Sequence, residues 1–288
     1  MEYIFHILIL FSIYGILALA QNLVMGEAGL LTVAGGAFYG IGAYVVAILT
    51  TTYGFSVLPS LIIAPVIAGG IAFIVGASFA RFRDDYFLLA TLGFLMIFNT
   101  LVKNWETFTG GAFGIAKIPK LDLFGFVFNT PSSFVWLGLF MLLVVSAISF
   151  FITNSSFGRV LNAIREDEDA LKIFGYNTTI YKLLIFSFGA ALSAVAGVLF
   201  ASYLSFIDAS LFTVDVSILL WSMIILGGMA KNSGALLGAF ILIILPEFLR
   251  FVDFPNEFVG LARVLIYSLL LVFFMLYQPR GILGEYKI

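Results

Sequence analysis

Apolar runs of about twenty residues dominate the chain, and short polar stretches separate them. A membrane-spanning helix needs roughly 20 mostly apolar residues. Runs of that kind lie at 3–24, 32–51, 57–80, 86–103, 133–152, 181–204, 216–229, 234–252 and 259–277. The pattern predicts an all-α integral membrane protein with about nine transmembrane helices, and because 216–229 is short for a full crossing the count could be eight or ten.

The polar segment 153–180 interrupts this pattern most strongly. It holds six of the chain's charged residues between Arg159 and Asp169, a density that a membrane span could not carry. Apolar residues nevertheless recur in it at helical spacing, at positions 157, 160, 161 and 164 and again at 170, 171 and 174. We therefore expect two short amphipathic helices at the membrane surface, with an apolar edge left to dock against a partner. The alternative is a solvated connector with no further role.

Local signals support helices in this segment. Ser155 or Ser156 can cap the first helix, and Glu168 and Lys172 have the spacing of a stabilising ion pair. Gly175 suits a left-handed helix end.

Glycines cluster inside apolar sequence in both halves of the chain. The first cluster spans 26–42 and the second spans 227–238. Such clusters in corresponding places indicate broken helices that line a pathway through the membrane, although glycines four residues apart, as at 36/40 and 234/238, also serve close helix packing. The candidate pathway residues are Asn22, Gly26, Glu27, Gly29, Gly36, Gly40, Gly42, Gly227, Gly228 and Gly234.

Polar residues inside apolar segments mark a pathway or a helix contact. Glu27 could attract a substrate ammonium group or could lie in water at the membrane edge, and we favour the edge. Asn22, Asn99 and Glu247 could hydrogen-bond across helices rather than touch a substrate.

Composition and charge exclude several classes of function. The chain is 62% hydrophobic and 10% charged, with a mean hydropathy of +1.14, so lipid is its expected solvent. Its net charge of −2 argues against nucleic acid as a partner. It has no cysteine and one histidine, so we expect no metal site. No linker divides it, which predicts a single membrane domain over 1–288.

Basic residues give an orientation. If the 153–180 segment is cytoplasmic, alternation through nine spans places nine basic residues inside and five outside, which agrees with the positive-inside rule. The N-terminus is then outside, the C-terminus is cytoplasmic, and 104–132 forms an extracellular loop. The inside set is Arg81, Arg83, Arg159, Arg165, Lys172, Lys182, Lys231, Arg280 and Lys287, and the outside set is Lys103, Lys117, Lys120, Arg250 and Arg263.

Segments along nearly the whole chain resemble one family of membrane proteins. The segment at 156–168, followed by Gly175 and by 182–186, is similar to the cytoplasmic signature of branched-chain amino acid ABC-transporter permeases of the M type. Further similar segments lie at 22–30, 37–44, 81–83, 86–87, 91–93, 109–111, 114–115, 217–218, 223–228, 245–247 and 279–281. Each motif is weak alone, and the set is specific.

The resemblance implies a transmembrane subunit without enzyme chemistry of its own. It implies a heterodimer with a second permease, two cytoplasmic ATP-binding subunits that use ATP and Mg, and a periplasmic or lipid-anchored substrate-binding protein, all in the bacterial inner membrane. The family's coupling motif, Glu-Ala-Ala followed by Gly, corresponds to 169–171 and Gly175. The coupling residues implied are Gly158, Arg159, Arg165, Glu166, Asp167, Glu168, Asp169, Ala170, Leu171 and Gly175.

The sequence leaves several functions open. It contains no Gly-Lys-Ser or Gly-Lys-Thr, so it lacks the loop that cradles ATP phosphates and its energy must come from another polypeptide. The favoured function is import of leucine, isoleucine or valine. A permease for urea, short amides or other small polar solutes is the alternative, and a self-sufficient carrier or channel is the rival class.

Overall fold

A computed structural model describes residues 2–79, 82, 84–123, 126–128 and 130–250, together with 265, 268, 269, 272, 273, 276 and 281–284. Side chains are not described at 84, 123, 126, 127 and 246–250. The predicted span at 259–277 therefore lies outside the described residues except for isolated helical positions.

Helices form almost all of the described chain. They are α1 (Glu2–Gln21), α2 (Gly35–Thr51), α3 (Val57–Phe79), α4 (Asp84–Asn104), α5 (Glu106–Thr109), α6 (Pro131–Asn154), α7 (Ser156–Glu166), α8 (Glu168–Ile173), α9 (Thr178–Leu204), α10 (Val214–Gly227) and α11 (Asn232–Arg250). A π-helical turn, Asn22–Glu27, continues α1, and 3-10 turns lie at Gly111–Phe113 and Ala209–Phe212. Strands β1 (Ile115–Ala116) and β4 (Phe206–Ile207) pair antiparallel, as do β2 (Asp122–Leu123) and β3 (Phe126–Val127).

Five helices of the described chain are long and apolar enough to cross a membrane. They are Glu2–Glu27, Val57–Phe79, Asp85–Asn104, Pro131–Asn154 and Thr178–Leu204. Each of these helices coincides with a predicted span. An apolar run that crosses lipid must satisfy its own backbone hydrogen bonds, and a helix does so within one segment. α2 is apolar but has only 17 residues.

The predicted count of about nine crossings is not confirmed. α10 and α11, expected as two separate spans, are bent by 119° about the short break between them, so they form a helical hairpin that counts at most as one broken span. Hydropathy does not reveal this bend, since both arms are apolar. The described residues thus hold five spanning helices, or up to six with the bent pair.

Contacts between chain ends and loops define two faces of the helix bundle. The first, which we call the loop face, carries the 153–180 segment, the π-helical end of α1 and the turn between α10 and α11. Residues 281–284 lie at this face too, because Ile282 N donates to the Leu226 carbonyl oxygen at 3.0 Å. The opposite face carries the end of α9 and the start of α1, since His6 Nδ1 lies 2.6 Å from the hydroxyl of Tyr203 in the last turn of α9. The pairing of β1 with β4 joins the 104–132 segment to the same face.

The core forms where small residues let helices approach closely. α9 packs against both α2 and α3, and a β-carbon at Gly42 would lie only 2.2 Å from the Ala194 carbonyl oxygen. A β-carbon at Gly197 would lie 2.1 Å from the Tyr39 carbonyl oxygen. Small residues on α2 and α9 therefore let the two helices pack backbone to backbone.

Candidate functional site

The two predicted short helices of the 153–180 segment are present as α7 and α8. The Ser155 hydroxyl accepts from Gly158 N at 3.2 Å and caps α7. Asp167 accepts from Ala170 N at 2.9 Å and caps α8, a role that the sequence did not reveal. Gly175 has a φ of +85° where the chain leaves α8, as predicted. The segment is therefore a defined pair of helices that turns at Asp167.

Glu168 ties α8 to the start of α9. Its carboxylate accepts from Lys182 Nζ and from the Thr178 hydroxyl, the latter at 2.9 Å, and it pairs with Lys172 at 3.2 Å. Partial burial acts to raise the pKa of this carboxyl, but the bonds from Lys182, Thr178 and Lys172 prevail and hold the pKa below its usual value. The predicted Glu168–Lys172 pair is confirmed; the Lys182 link was missed because its partners lie 14 residues apart.

The outer surface of α8 combines charge with large exposed apolar side chains. Ile173 is 86% exposed and Phe174 is 79% exposed, although both lie beside charged residues of α8. Asp169 and Lys172 pair at 3.3 Å on the same surface. Large apolar side chains exposed side by side are candidates for contact with a protein partner. We call Asp169, Lys172, Ile173 and Phe174 the α8 surface.

The remaining predicted coupling residues divide between inward and outward positions. Gly158 is buried, and a β-carbon there would lie 2.2 Å from the Thr153 carbonyl oxygen. Arg159 donates to the Ser156 hydroxyl at 2.9 Å on the exposed side of α7. Glu166 is exposed, whereas Ala170 and Leu171 are half-buried. The set predicted from sequence is thus contiguous in space, and its coupling role stays a prediction.

Arg165 joins α7 to the break at the end of α1. Its guanidinium donates to the Gly26 carbonyl oxygen, and its aliphatic part packs on Gly29, which has a φ of +68°. A β-carbon at Gly29 would lie 2.9 Å from Arg165 Cγ, so only glycine fits this turn without strain. The loop helix therefore sits directly on the first glycine-rich segment.

Glu27 is buried at this junction rather than bathed in water at a membrane edge. It is 4% exposed and lies close enough to Arg165 for their charges to attract. With the Asn162 amide turned so that its nitrogen faces the carboxylate, Asn162 donates to Glu27 Oε2 at 2.7 Å. The favoured expectation for Glu27 was therefore wrong: an arginine and an asparagine from α7 compensate its burial.

The α10–α11 turn meets the same junction through Asn22. The Asn22 side chain accepts from Ala230 N at 3.1 Å and donates to Asn232 Oδ1 at 3.4 Å, and Asn232 Oδ1 also accepts from the Ser149 hydroxyl at 2.9 Å. The expected hydrogen bonding of Asn22 across helices is confirmed. α1, α6 and the hairpin are thus linked beside the Arg165 contact.

The candidate pathway glycines fall into two places. Gly26 and Gly29 lie at the α1 break, near Gly227, Gly228 and Gly234 in the hairpin turn; a β-carbon at Gly26 would lie 2.7 Å from Ala230 N. Gly36, Gly40 and Gly42 lie along α2, packed against Ser217, Phe98 and Ala194 respectively. The structure brings the start of the first glycine cluster, at Gly26, against the α10–α11 turn, whereas the rest of that cluster packs elsewhere along α2. The part of these glycines in a pathway stays a prediction.

The sequence of the chain matches one known family over almost its whole length. The family model for the permease component of branched-chain amino acid transport systems matches residues 3–277. The chain belongs to this family. Its members are membrane permease components of transporters rather than catalytic enzymes, which agrees with a multi-pass protein built on spanning helices.

Named relatives refine the placement within the family. The chain is 36% identical to the high-affinity branched-chain amino acid transport system permease protein LivM of Escherichia coli, over 94% of this chain and 68% of that protein. It is 30% identical to a probable LivM of Methanocaldococcus jannaschii, over 97% and 92% respectively. Identity to the Escherichia coli permease LivH is 26%, over 95% and 92%. No solved structure matches the chain.

Proposed function

We propose that this chain is the M-type permease subunit of an ATP-driven importer of leucine, isoleucine and valine. The observation that carries the proposal is the contact of Arg165 with Gly26 and Gly29, because it joins an exposed two-helix loop to a break in a spanning helix. A loop so placed can pass the movement of a soluble partner to the membrane helices as a rigid body.

The α8 surface is the proposed docking site for a cytoplasmic ATP-binding subunit. Ile173 and Phe174 supply apolar anchors, and the Asp169–Lys172 pair supplies a polar rim. Apolar anchors within a polar rim are typical of protein interfaces. The links from Glu168 to Lys182 and Thr178 keep α8 from moving independently of α9. Two such subunits would use ATP and Mg in the complex.

The second permease is proposed to be a LivH-type chain. This chain is similar both to LivM and, more distantly, to LivH, and transporters that combine two related permeases bring two related bundles around one pathway. A separate binding protein, periplasmic or lipid-anchored, would deliver the amino acid to the opposite face.

The loop face is the proposed cytoplasmic face of the bacterial inner membrane. Among the described basic residues, five belong to the loop face: Arg159, Arg165, Lys172, Lys182 and Lys231. Three lie toward the opposite face: Lys103 in the last turn of α4, and Lys117 and Lys120 in the 104–132 segment. This distribution follows the positive-inside rule. Arg81, Arg83, Arg263, Arg280 and Lys287 lie outside the described residues, and Arg250 ends α11 with no side chain described.

Phe174→Asp tests the coupling role of the α8 surface. The change places a charge in the proposed apolar contact and removes nothing from the bundle, since Phe174 is 79% exposed. In proteoliposomes holding the whole transporter, ATP-driven leucine uptake should fall at least about tenfold, because an interface anchor contributes about 2 kcal/mol or more to binding.

Phe174→Leu is the matched control, because it keeps an apolar side chain at the same exposed position and introduces no charge. It should leave ATP-driven uptake near the unsubstituted level. Undiminished uptake in Phe174→Asp would exclude the docking role. Leucine flux through this chain alone, without ATP or partner subunits, would instead favour the rival carrier or channel.

A further inference from the structure

A groove of about 560 Å³ lies between α4 and α10 where both helices reach the opposite face. It belongs neither to the α8 surface nor to the α1 break. Its lining combines an apolar part with two charges of opposite sign and several neutral polar groups. The lining residues are Leu95, Met96, Asn99, Thr100, Lys103, Asn104, Thr213, Val214 and Asp215.

The polar groups of the groove hold few internal contacts. Lys103 is exposed and makes no ion pair or side-chain hydrogen bond within the described part of the chain. Asp215 accepts one bond, from the Thr213 hydroxyl at 3.3 Å. Asn99 donates to the Phe212 carbonyl oxygen at 2.6 Å, which fixes its amide in place against α10's leading turn. The charges of Lys103 and Asp215 are therefore available to bind a ligand.

The chemistry of the lining is complementary to one class of small molecule. An α-amino acid with an apolar side chain carries a carboxylate, an ammonium group and a hydrocarbon part. Lys103 matches the carboxylate and Asp215 matches the ammonium group. Leu95, Met96 and Val214 match the hydrocarbon part. The volume is of the size that small-molecule sites have, and such sites are apolar with a few placed polar groups.

We propose that this groove is an entry site for the zwitterion of an apolar amino acid, in which Lys103 binds the carboxylate and Asp215 binds the ammonium group. The proposal rests on the proposed function and deepens it by assigning where substrate first meets the permease. Because the groove is open and its charges are exposed, each charged contact is screened by water and the site binds weakly. Weak binding suits an entry site, from which the substrate must also leave.

The absence of cysteine from the chain makes a direct test available. Thr100→Cys places a thiol in the groove, and a small water-soluble thiol reagent then reports whether the groove is occupied. In the whole transporter, leucine should slow the labelling, about threefold when its concentration is twice the dissociation constant, as expected for simple occupancy. Lys103→Met and Asp215→Asn in that background should keep the labelling and lose the protection by leucine.

Two leucine analogues distinguish recognition of the charged groups from recognition of the hydrocarbon part alone. Leucinamide lacks the carboxylate and 4-methylpentanoate lacks the ammonium group, so each should protect clearly less than leucine at the same concentration. Phe113→Cys, exposed at the same face but outside the groove, is the control that should react without protection. Background from cysteines of other subunits is measured with the unsubstituted chain.

Three outcomes would overturn the proposal. They are unchanged labelling in the presence of saturating leucine, equal protection by leucine and both analogues, and protection by the amino-acid-free binding protein alone, which would identify a docking surface instead. The same preparation is assayed for ATP-driven leucine uptake. If uptake persists while protection fails, the groove assignment falls and the proposed function stands; if uptake itself is missing, the proposed function falls.

Discussion

At the scale of single residues, the junction between α7 and the α1 break depends on a buried charge and its partners. The sequence singled out Glu27 as a polar residue in an apolar segment and Arg165 as a coupling residue, but no spacing rule connects residues so far apart in the chain. Glu27 was expected in water because an isolated carboxylate is costly to bury. The structure resolves the cost through Arg165 and Asn162, both on α7. Local signals such as the Ser155 cap were predictable, since they span only a few residues.

Arg165→Met should destabilise the chain strongly. It removes the donor to the Gly26 carbonyl oxygen and leaves the Glu27 carboxylate buried without its attracting charge. Breaking a buried pair from one side costs about 3–5 kcal/mol, which equilibrium unfolding in detergent would measure. The double variant Glu27→Gln/Arg165→Met should recover part of the loss.

Arg159→Met is the control for this cycle, because the one bond that the described residues show for Arg159 goes to the neighbouring Ser156 hydroxyl on an exposed helix side. Its free energy of unfolding should stay within about 0.5 kcal/mol of the parent. Equal losses in the Arg159 and Arg165 variants, or no recovery in the double variant, would contradict the view that Arg165 compensates Glu27.

At the scale of helices and their connections, most elements were predictable and their packing was not. Apolar length identified α1, α3, α4, α6 and α9 as spanning helices. The glycine spacing at 234/238 indicated close packing, yet it did not say which helix would approach. The structure shows that the partner is α10 of the same hairpin, where Gly227 and Gly234 lie in contact. The apolar character of the two arms carries no signal that they fold back on each other.

Gly238→Ala should weaken this hairpin. A β-carbon there would lie 1.8 Å from the Met223 carbonyl oxygen, so the two backbones must separate. Overpacking of this kind costs about 1–3 kcal/mol, which should appear as a lower midpoint of thermal unfolding in detergent. Gly70→Ala is the matched control: Gly70 is helical and exposed, and no atom lies within 4 Å of its added β-carbon. That control should be neutral or slightly stabilising. A neutral Gly238→Ala would show that the hairpin arms are not held this tightly.

At the scale of the whole molecule, the proposed docking surface and the proposed substrate groove lie on opposite faces. The loop face holds the α8 surface and, just inside it, the contact of Gly26 with the α10–α11 turn. The opposite face holds the α4–α10 groove. Composition could predict that such faces exist, since a membrane protein has two wet ends. It could not predict that the breaks of both halves meet below α7, because that depends on how the hairpin packs against α1.

The two faces should react with reagents from opposite sides of the membrane. Phe113→Cys and Ile173→Cys each place a single thiol of this chain at a highly exposed site, 88% and 86% exposed respectively in the parent residues, on opposite faces. An impermeant maleimide added to intact spheroplasts should label Phe113→Cys, whereas Ile173→Cys should react only after the membrane is opened. The proposed docking requires the α8 surface to face cytoplasmic ATP-binding subunits, so labelling of Ile173→Cys from outside would remove the basis for ATP coupling. Its protection in opened membranes by the assembled ATP-binding subunits would tie orientation and docking to the same residue.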